Sequence, residues 1–274
     1  MKPIIIRTRL ILAASVLALG CAACTDPATL SSDAGGDQHK SMRLELHFSG
    51  GLATLAKAAA SGDAERVSEL IEYEKLDPNA LSDEGMPLLL WPVHQRNLGG
   101  FIALLKNGAD ANRRAGNGEI LMHYVVEGAD ASFVQAALAH GADPNAVNRD
   151  KEALIHIARR VQKWDVIEAL LDANAEVDAF EGGLYGNTVL SMATGFGDFE
   201  HAYFLLERGA DAEYRLKQAP KPERVGAQPI LEDIFFRPVD AEQYPEVSHW
   251  QRKCQDWLAA KGIQPPGKPG RYSR

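Results

Sequence analysis

A short phrase returns along the middle of this chain at a spacing of thirty-three residues. Asn79, Asn112, Asn145, Asp178 and Glu213 close its successive copies, at intervals of 33, 33, 33 and 35. Just upstream stand Gly108-Ala109-Asp110, Gly141-Ala142-Asp143, Asn174-Ala175-Glu176 and Gly209-Ala210-Asp211. An apolar pair precedes each of them: Leu104-Leu105, Ala137-Leu138, Leu170-Leu171 and Leu205-Leu206. A period of this length marks a chain built from stacked units, none of which can bury its own apolar face alone.

The parts of the phrase have separate physical roles. The apolar pair ends an amphipathic helix and faces the stack. The Gly that follows stops the helix, because the position after a helix end often takes the left-handed conformation that Gly adopts without strain. Asn174, the next-best residue there, replaces Gly in one copy. Asp and Asn in the next few positions favour turns by bonding nearby backbone. A shorter upstream helix carries Ala58-Ala59, Ala158 and Ala193 where a neighbouring helix must come close. Each unit is therefore expected to be a helix, a turn, a second helix and a projecting hairpin. The chain is 46% hydrophobic but only 7% aromatic, which suits small-residue helix stacking better than a barrel or sandwich.

This pattern resembles the ankyrin repeat over about residues 53–214, five units. Thr188-Val189-Leu190-Ser191, with Ala193 and Gly197, lies closest to the family's opening motif. Met122-His123 and Ile155-His156 put histidine at the family's Leu-His step, where the resemblance implies hydrogen bonding between repeats and no metal. The implied fold is all-α, an ankyrin-repeat solenoid, with five repeats in 44–214 and residues 44–56 as its N-terminal cover. The second unit departs from the pattern at Leu90-Trp91-Pro92-Val93, and Pro92 is expected to shorten or kink its first helix. The fifth carries extra hairpin residues at Glu181–Gly186. Residues 215–274 read as a loop and a diverged sixth unit acting as cap, with helices near Ile230–Phe236 and Tyr244–Lys261. Val247, Trp250, Cys254, Trp257 and Leu258 share one helical face, which makes Cys254 a buried small hydrophobe.

The first residues read as an address. Lys2, Arg7 and Arg9 precede an apolar run from Leu10 to Gly20, too short to span a bilayer but fit for a signal peptide. Leu17-Ala18-Leu19-Gly20-Cys21 resembles the bacterial lipobox, which implies a signal peptide at 1–20 and lipidation of Cys21. Ala22 in place of aspartate implies outer-membrane sorting. Removal of 1–20 takes three positive charges from a formal charge of −8 and leaves −11. Residues 21–43 form a small, polar, aperiodic tether with a reach on the order of 25 Å. Cys21-Ala22-Ala23-Cys24 spells C-x-x-C, but a cleavage site offers no helix terminus to activate a redox dithiol.

Other chemistry is sparse. No G-x-S-x-G, H-E-x-x-H or G-x-G-x-x-G occurs. Gly262 to Pro269 imitates a P-loop, but Pro265 and Pro266 remove phosphate-binding N–H groups and Pro269 replaces the metal-binding hydroxyl. The acidic balance argues against non-specific nucleic-acid binding. We therefore expect no enzyme, cofactor or metal, and a chain that is monomeric when free and binds a protein. The candidate contact residues are Arg113, Arg114, Phe180 and Tyr185 at hairpin tips, and Trp91, Tyr124 and Phe196 on the exposed face of the short helices. Aromatic and Arg side chains supply much interface energy. An ankyrin body behind a lipobox resembles the lipoproteins that protect bacteria from type VI-secreted effectors, often lipases. That resemblance implies a periplasmic, membrane-anchored immunity protein. The alternative is an accessory or scaffold protein for a periplasmic enzyme, such as one of oxidative-stress defence.

Overall fold

The computed structural model describes residues 47–181, 187–215 and 227–272, all within one compact unit. Six helix pairs follow one another, here called units 1 to 6. They are α1 (Gly50–Ser61) with α2 (Ala64–Glu72), α3 (Leu90–His94) with α4 (Leu98–Lys106), and α5 (Leu121–Gly128) with α6 (Ala131–Ala139). Then come α7 (Leu154–Arg160) with α8 (Trp164–Asp172), α9 (Val189–Phe196) with α10 (Phe199–Glu207), and α11 (Pro229–Phe236) with α12 (Pro245–Ala260). Among the described residues there is no strand, only single antiparallel bridges Leu81–Pro87, Arg114–Ile120 and Val147–Ala153 that close the hairpins. No described helix is long and apolar enough to cross a membrane. The expected all-α architecture of helix, turn, helix and hairpin is the one observed.

Local chemistry accounts for the helix ends. Asp63 and Asn97 cap α2 and α4 by accepting from the N–H groups of Arg66 and Gly100. Thr188 and Ser191 cap α9 reciprocally. The second helices stop at Gly108, Gly141, Asn174 and Gly209, with φ of +90°, +89°, +65° and +87°. Each time the next N–H returns to the carbonyl five residues back, as Ala109 does to Leu104 and Ala175 to Leu170. Asn174 thus does the work of Gly. Pro92 lies inside α3, which at five residues is the shortest helix of the array.

The core runs through every unit, with Leu55, Leu70, Phe101, Leu104, Leu121, Leu154, Ile167 and Phe199 fully buried. Each such side chain contributes about 1.5–3 kcal/mol over an exposed one. Ala59, Ala158 and Ala193 are buried as expected where helices close on one another. At Gly100 the approach is closer still: an added Cβ would lie 1.6 Å from the Ala59 carbonyl oxygen. Cys254 is buried under α10, its Sγ donating to the Phe199 carbonyl at 3.4 Å, and burial pushes its thiol up to about 12.

Two sets of side chains stitch unit to unit. On the hairpin side, Asn79, Asn112 and Asn145 form a ladder. Each donates to the carbonyl that ends the next second helix (Gly108, Gly141, Asn174) and accepts from the N–H two residues on (Asp110, Asp143, Glu176). Asp178, the fourth rung, accepts from Asp211 N–H at 3.0 Å but as a carboxylate has no proton to give. On the opposite edge, carbonyls near first-helix C-termini are met by cations or amides of the next unit. Asn97 donates to Ala60, Lys163 Nζ to Val126, Glu127 and Ala129 at 3.0, 2.8 and 2.7 Å, and Arg237 to Gly195 at 2.7 Å.

The joint between units 4 and 5 differs from the rest. Helices α8 and α10 pack against each other less extensively than any other successive pair of second helices. Asp198 occupies the place of Lys163 and turns to its own His201 instead of reaching back. What fills the joint is the Trp164 indole, stacked face to face on His201 at 3.7 Å and 6°. Arg208 adds an ion pair to Asp172 at 2.7 Å.

Beyond α12 the chain folds back without a further α-helix and closes in a single 3-10 turn at Gly270–Tyr272. Ile263, Pro266, Pro269 and Tyr272, every third residue, are half-buried while most of those between are exposed, the period of a polyproline II segment. The segment ends with the Tyr272 hydroxyl donating to the buried carboxylate of Asp233 on α11.

Candidate protein interface

A stack of this kind offers three surfaces: the hairpin tips, the outer face of the first helices, and the edge where first helix turns into second. The hairpin tips are largely occupied with themselves. Arg114 donates to the Gly118 carbonyl at 2.9 Å, closing its own hairpin. Arg113 is half-buried, with an Nε that meets no acceptor among the described residues. Asn148 is buried and accepts from the N–H groups of Asp150 and Glu152, so it shapes the tip instead of presenting it. Phe180 is 43% exposed and leans on Tyr214, ring centres 5.6 Å apart. Between the second and third tips lies a cavity of about 470 Å³, lined by Arg114, Ile120, Met122, Asp143 and Val147 among others. Tyr185 lies outside the described residues, as does Cys21.

The outer face of the first helices is charged and internally paired. Arg160 bonds Glu127 at 2.8 Å and Glu152 at 3.4 Å, and His123 Nε2 lies 3.2 Å from Glu127. The Arg160 guanidinium holds the Glu127 carboxyl below the usual carboxylate range. Tyr124 stands beside this network, half-buried, its hydroxyl accepting from Asn117 at 2.8 Å. His156 bonds the Ala179 carbonyl of the next hairpin at 2.7 Å, the inter-repeat bond implied for that histidine step. Among the described residues no cluster of His, Cys, Asp and Glu could hold a metal ion.

Trp91 corrects the expectation for this face. It is 2% exposed and belongs to the core, because residues 47–48 lie over it: the Phe48 ring meets it edge-on at 6.2 Å and His47 at 5.9 Å. It is not available to a partner. Burial even leaves its indole Nε1 without an acceptor among the described residues.

The turn edge carries the most exposed aromatic among the described candidates. Phe196, at the end of α9, is 73% exposed. Arg159 of the preceding unit lies between it and Trp164, its guanidinium carbon 5.5 Å from one ring centre and 5.7 Å from the other. Trp164 is in turn fixed by His201, and His201 by the Asp198 carboxylate at 2.8 Å. The fold thus assembles Phe196, Arg159, Trp164 and His201 at the joint of units 4 and 5. Of these the sequence points only to Phe196. Trp164 falls outside the Val166-Ile167-Leu170-Leu171 stripe of its helix, and a large ring off that stripe is the available signal.

Comparison with known proteins agrees with the geometry. The model of the family described as Ankyrin repeats (3 copies) matches residues 121–215, which are units 3 to 5. The chain is 28% identical over 147 residues to the E3 ubiquitin-protein ligase KEG of Arabidopsis thaliana, covering 53% of this chain and 9% of that protein. It is 29% identical over 111 residues to the putative ankyrin repeat protein FPV014 of Fowlpox virus (strain NVSL), covering 40% of this chain and 25% of that one. The chain thus spans a quarter or less of each relative's length. Its likeness to them lies in ankyrin repeats, modules that generally bind proteins.

Proposed function

We propose that this ankyrin-repeat array is a lipid-anchored periplasmic binding protein that neutralises a secreted effector by covering it. In this reading Cys21 carries the lipid and Ala22 directs the protein to the outer membrane. Residues 22–43 hold the array clear of the headgroups. The effector is a toxin delivered by type VI secretion, such as a lipase, and inhibition comes from steric occlusion of its active or membrane-docking surface. The observation that carries the binding role is Phe196, 73% exposed beside the Arg159 guanidinium, which has no ion pair among the described residues. Anchoring would raise the inhibitor's concentration where a periplasmic toxin acts.

The test is a competition assay. A strain lacking the gene is challenged by sibling attackers, with and without a plasmid copy of the wild type or of Cys21→Ser. Loss of survival that the wild type restores, and that the unanchored variant restores less well, is the expected result. Unchanged survival of the deletion strain overturns the reading, and stable association with a resident periplasmic enzyme would replace it with a scaffold role.

A further inference from the structure

We propose that Arg159, clamped between Trp164 and Phe196, is the anchor point of the binding surface and receives an acidic side chain of a partner peptide, whose neighbouring apolar side chain packs on Phe196. The inference rests on the binding role proposed above and adds the chemistry of the partner.

Arg159 has no ion pair among the described residues, whereas Arg66, Arg160 and Arg208 each have two. The Asp198 carboxylate of the next unit pairs with His201, whose Nδ1 lies 2.8 and 2.9 Å from its two oxygens. The Nε of Arg159 is buried without an acceptor, so that group has lost water and gained no partner. Rings at 5.5 and 5.7 Å lie against the guanidinium, and the Trp164 ring is itself held by the His201 stack. The cation is therefore held in place before any ligand arrives. A guanidinium presented in this way donates in its own plane, where the two oxygens of a carboxylate match its geometry. Phe196, 73% exposed beside it, supplies apolar area next to the charge. A carboxylate alone would leave Phe196 in water and an apolar group alone would leave Arg159 unpaired. Only a partner segment that carries both satisfies the site.

The experiment pans a phage-displayed random dodecapeptide library on the purified full chain, then measures the affinity of the best synthetic peptide by calorimetry. We expect retained peptides to carry Asp or Glu within two positions of a Leu, Ile, Val or Phe. Affinity should fall at least about tenfold in Arg159→Gln, in Phe196→Ala, and when the peptide's acid becomes an amide. Inorganic phosphate at equal ionic strength should compete no better than chloride. Phe196 is exposed and Arg159 half-buried, and circular dichroism checks that the fold is kept in each variant. Retained peptides without an acidic residue, no retained peptides, an affinity indifferent to both substitutions, or competition by phosphate would each overturn the inference. The proposed function fails separately: if wild type protects cells and the double variant protects equally, Arg159 and Phe196 are not the anchor, while absence of any protection removes the inhibitor role itself.

Discussion

Two neighbouring joints of the array solve the same problem with different means. Between units 3 and 4, Asn145 both donates to and accepts from the next hairpin base, and Lys163 reaches back to three carbonyls at the end of α5. Between units 4 and 5 the rung is Asp178, which only accepts, Asp198 stands where Lys163 would be, and α8 and α10 share little contact. The first joint is closed by bonds to backbone and the second by a ring wedge. Bonds to backbone are directional, and they use up the polar atoms that make them. The wedge leaves Phe196 exposed beside it, so the joint with the least helix contact is also the one with surface to offer a partner.

Substitutions can break or sharpen that contrast. Lys163→Met should have the largest effect, a loss of about 2–3 kcal/mol in urea unfolding, since three carbonyls lose a charged donor. An unchanged unfolding midpoint would show that the three bonds exchange freely with water. Trp164→Ala, at the other joint, should cost about 2 kcal/mol. Its signature is regional: amide exchange should quicken in α9 to α12 more than in α1 to α6, and a uniform change would deny that the wedge is local.

Asp178→Asn should convert the weak rung into a full one. The new amide can donate to Gly209 as Asn112 does to Gly141, a gain of about 1 kcal/mol at neutral pH. Burial raises the Asp178 carboxyl above its ordinary range. A raised carboxyl contributes stability that is present below its unfolded value and lost as pH rises through the folded one, so ionised Asp178 weakens the joint at neutral pH. The advantage of the substitution should therefore shrink as pH falls below the carboxylate range, and a pH-independent difference would assign the whole gain to the new bond. The smallest effect is expected from Gln162→Gly. Gln162 sits at φ +58° in the turn where units 1 and 5 have Gly62 and Gly197, and release of that strain should add about 0.5–1 kcal/mol.

The ladder was legible in the sequence because one residue type at one spacing makes one bond, so its repetition shows without coordinates. Asn174 was legible for a similar reason, since few residues tolerate a positive φ. The stitches on the turn edge were not. Asn97, Lys163 and Arg237 reach the same kind of carbonyl from different side chains, and no pattern of residue types betrays a shared target. Trp91 was misjudged because its exposure depends on Phe48, which arrives from outside the repeat register. Phe196 was found as a single exposed ring, but Arg159 and Trp164 beside it were not. The stack that joins them depends on how α8 and α10 meet, and contact between units is a property of packing and not of any one unit.

The placement of Cys254 gives the array a clock of its own. With its sulfur sealed beneath α10 and its thiol pushed up to about 12, it meets an alkylating reagent only when α12 lifts away. The labelling rate of this one residue, followed by mass, therefore counts openings of the last unit. Compared with the rate of global unfolding, it tells whether the array peels from its C-terminal end or comes apart at once.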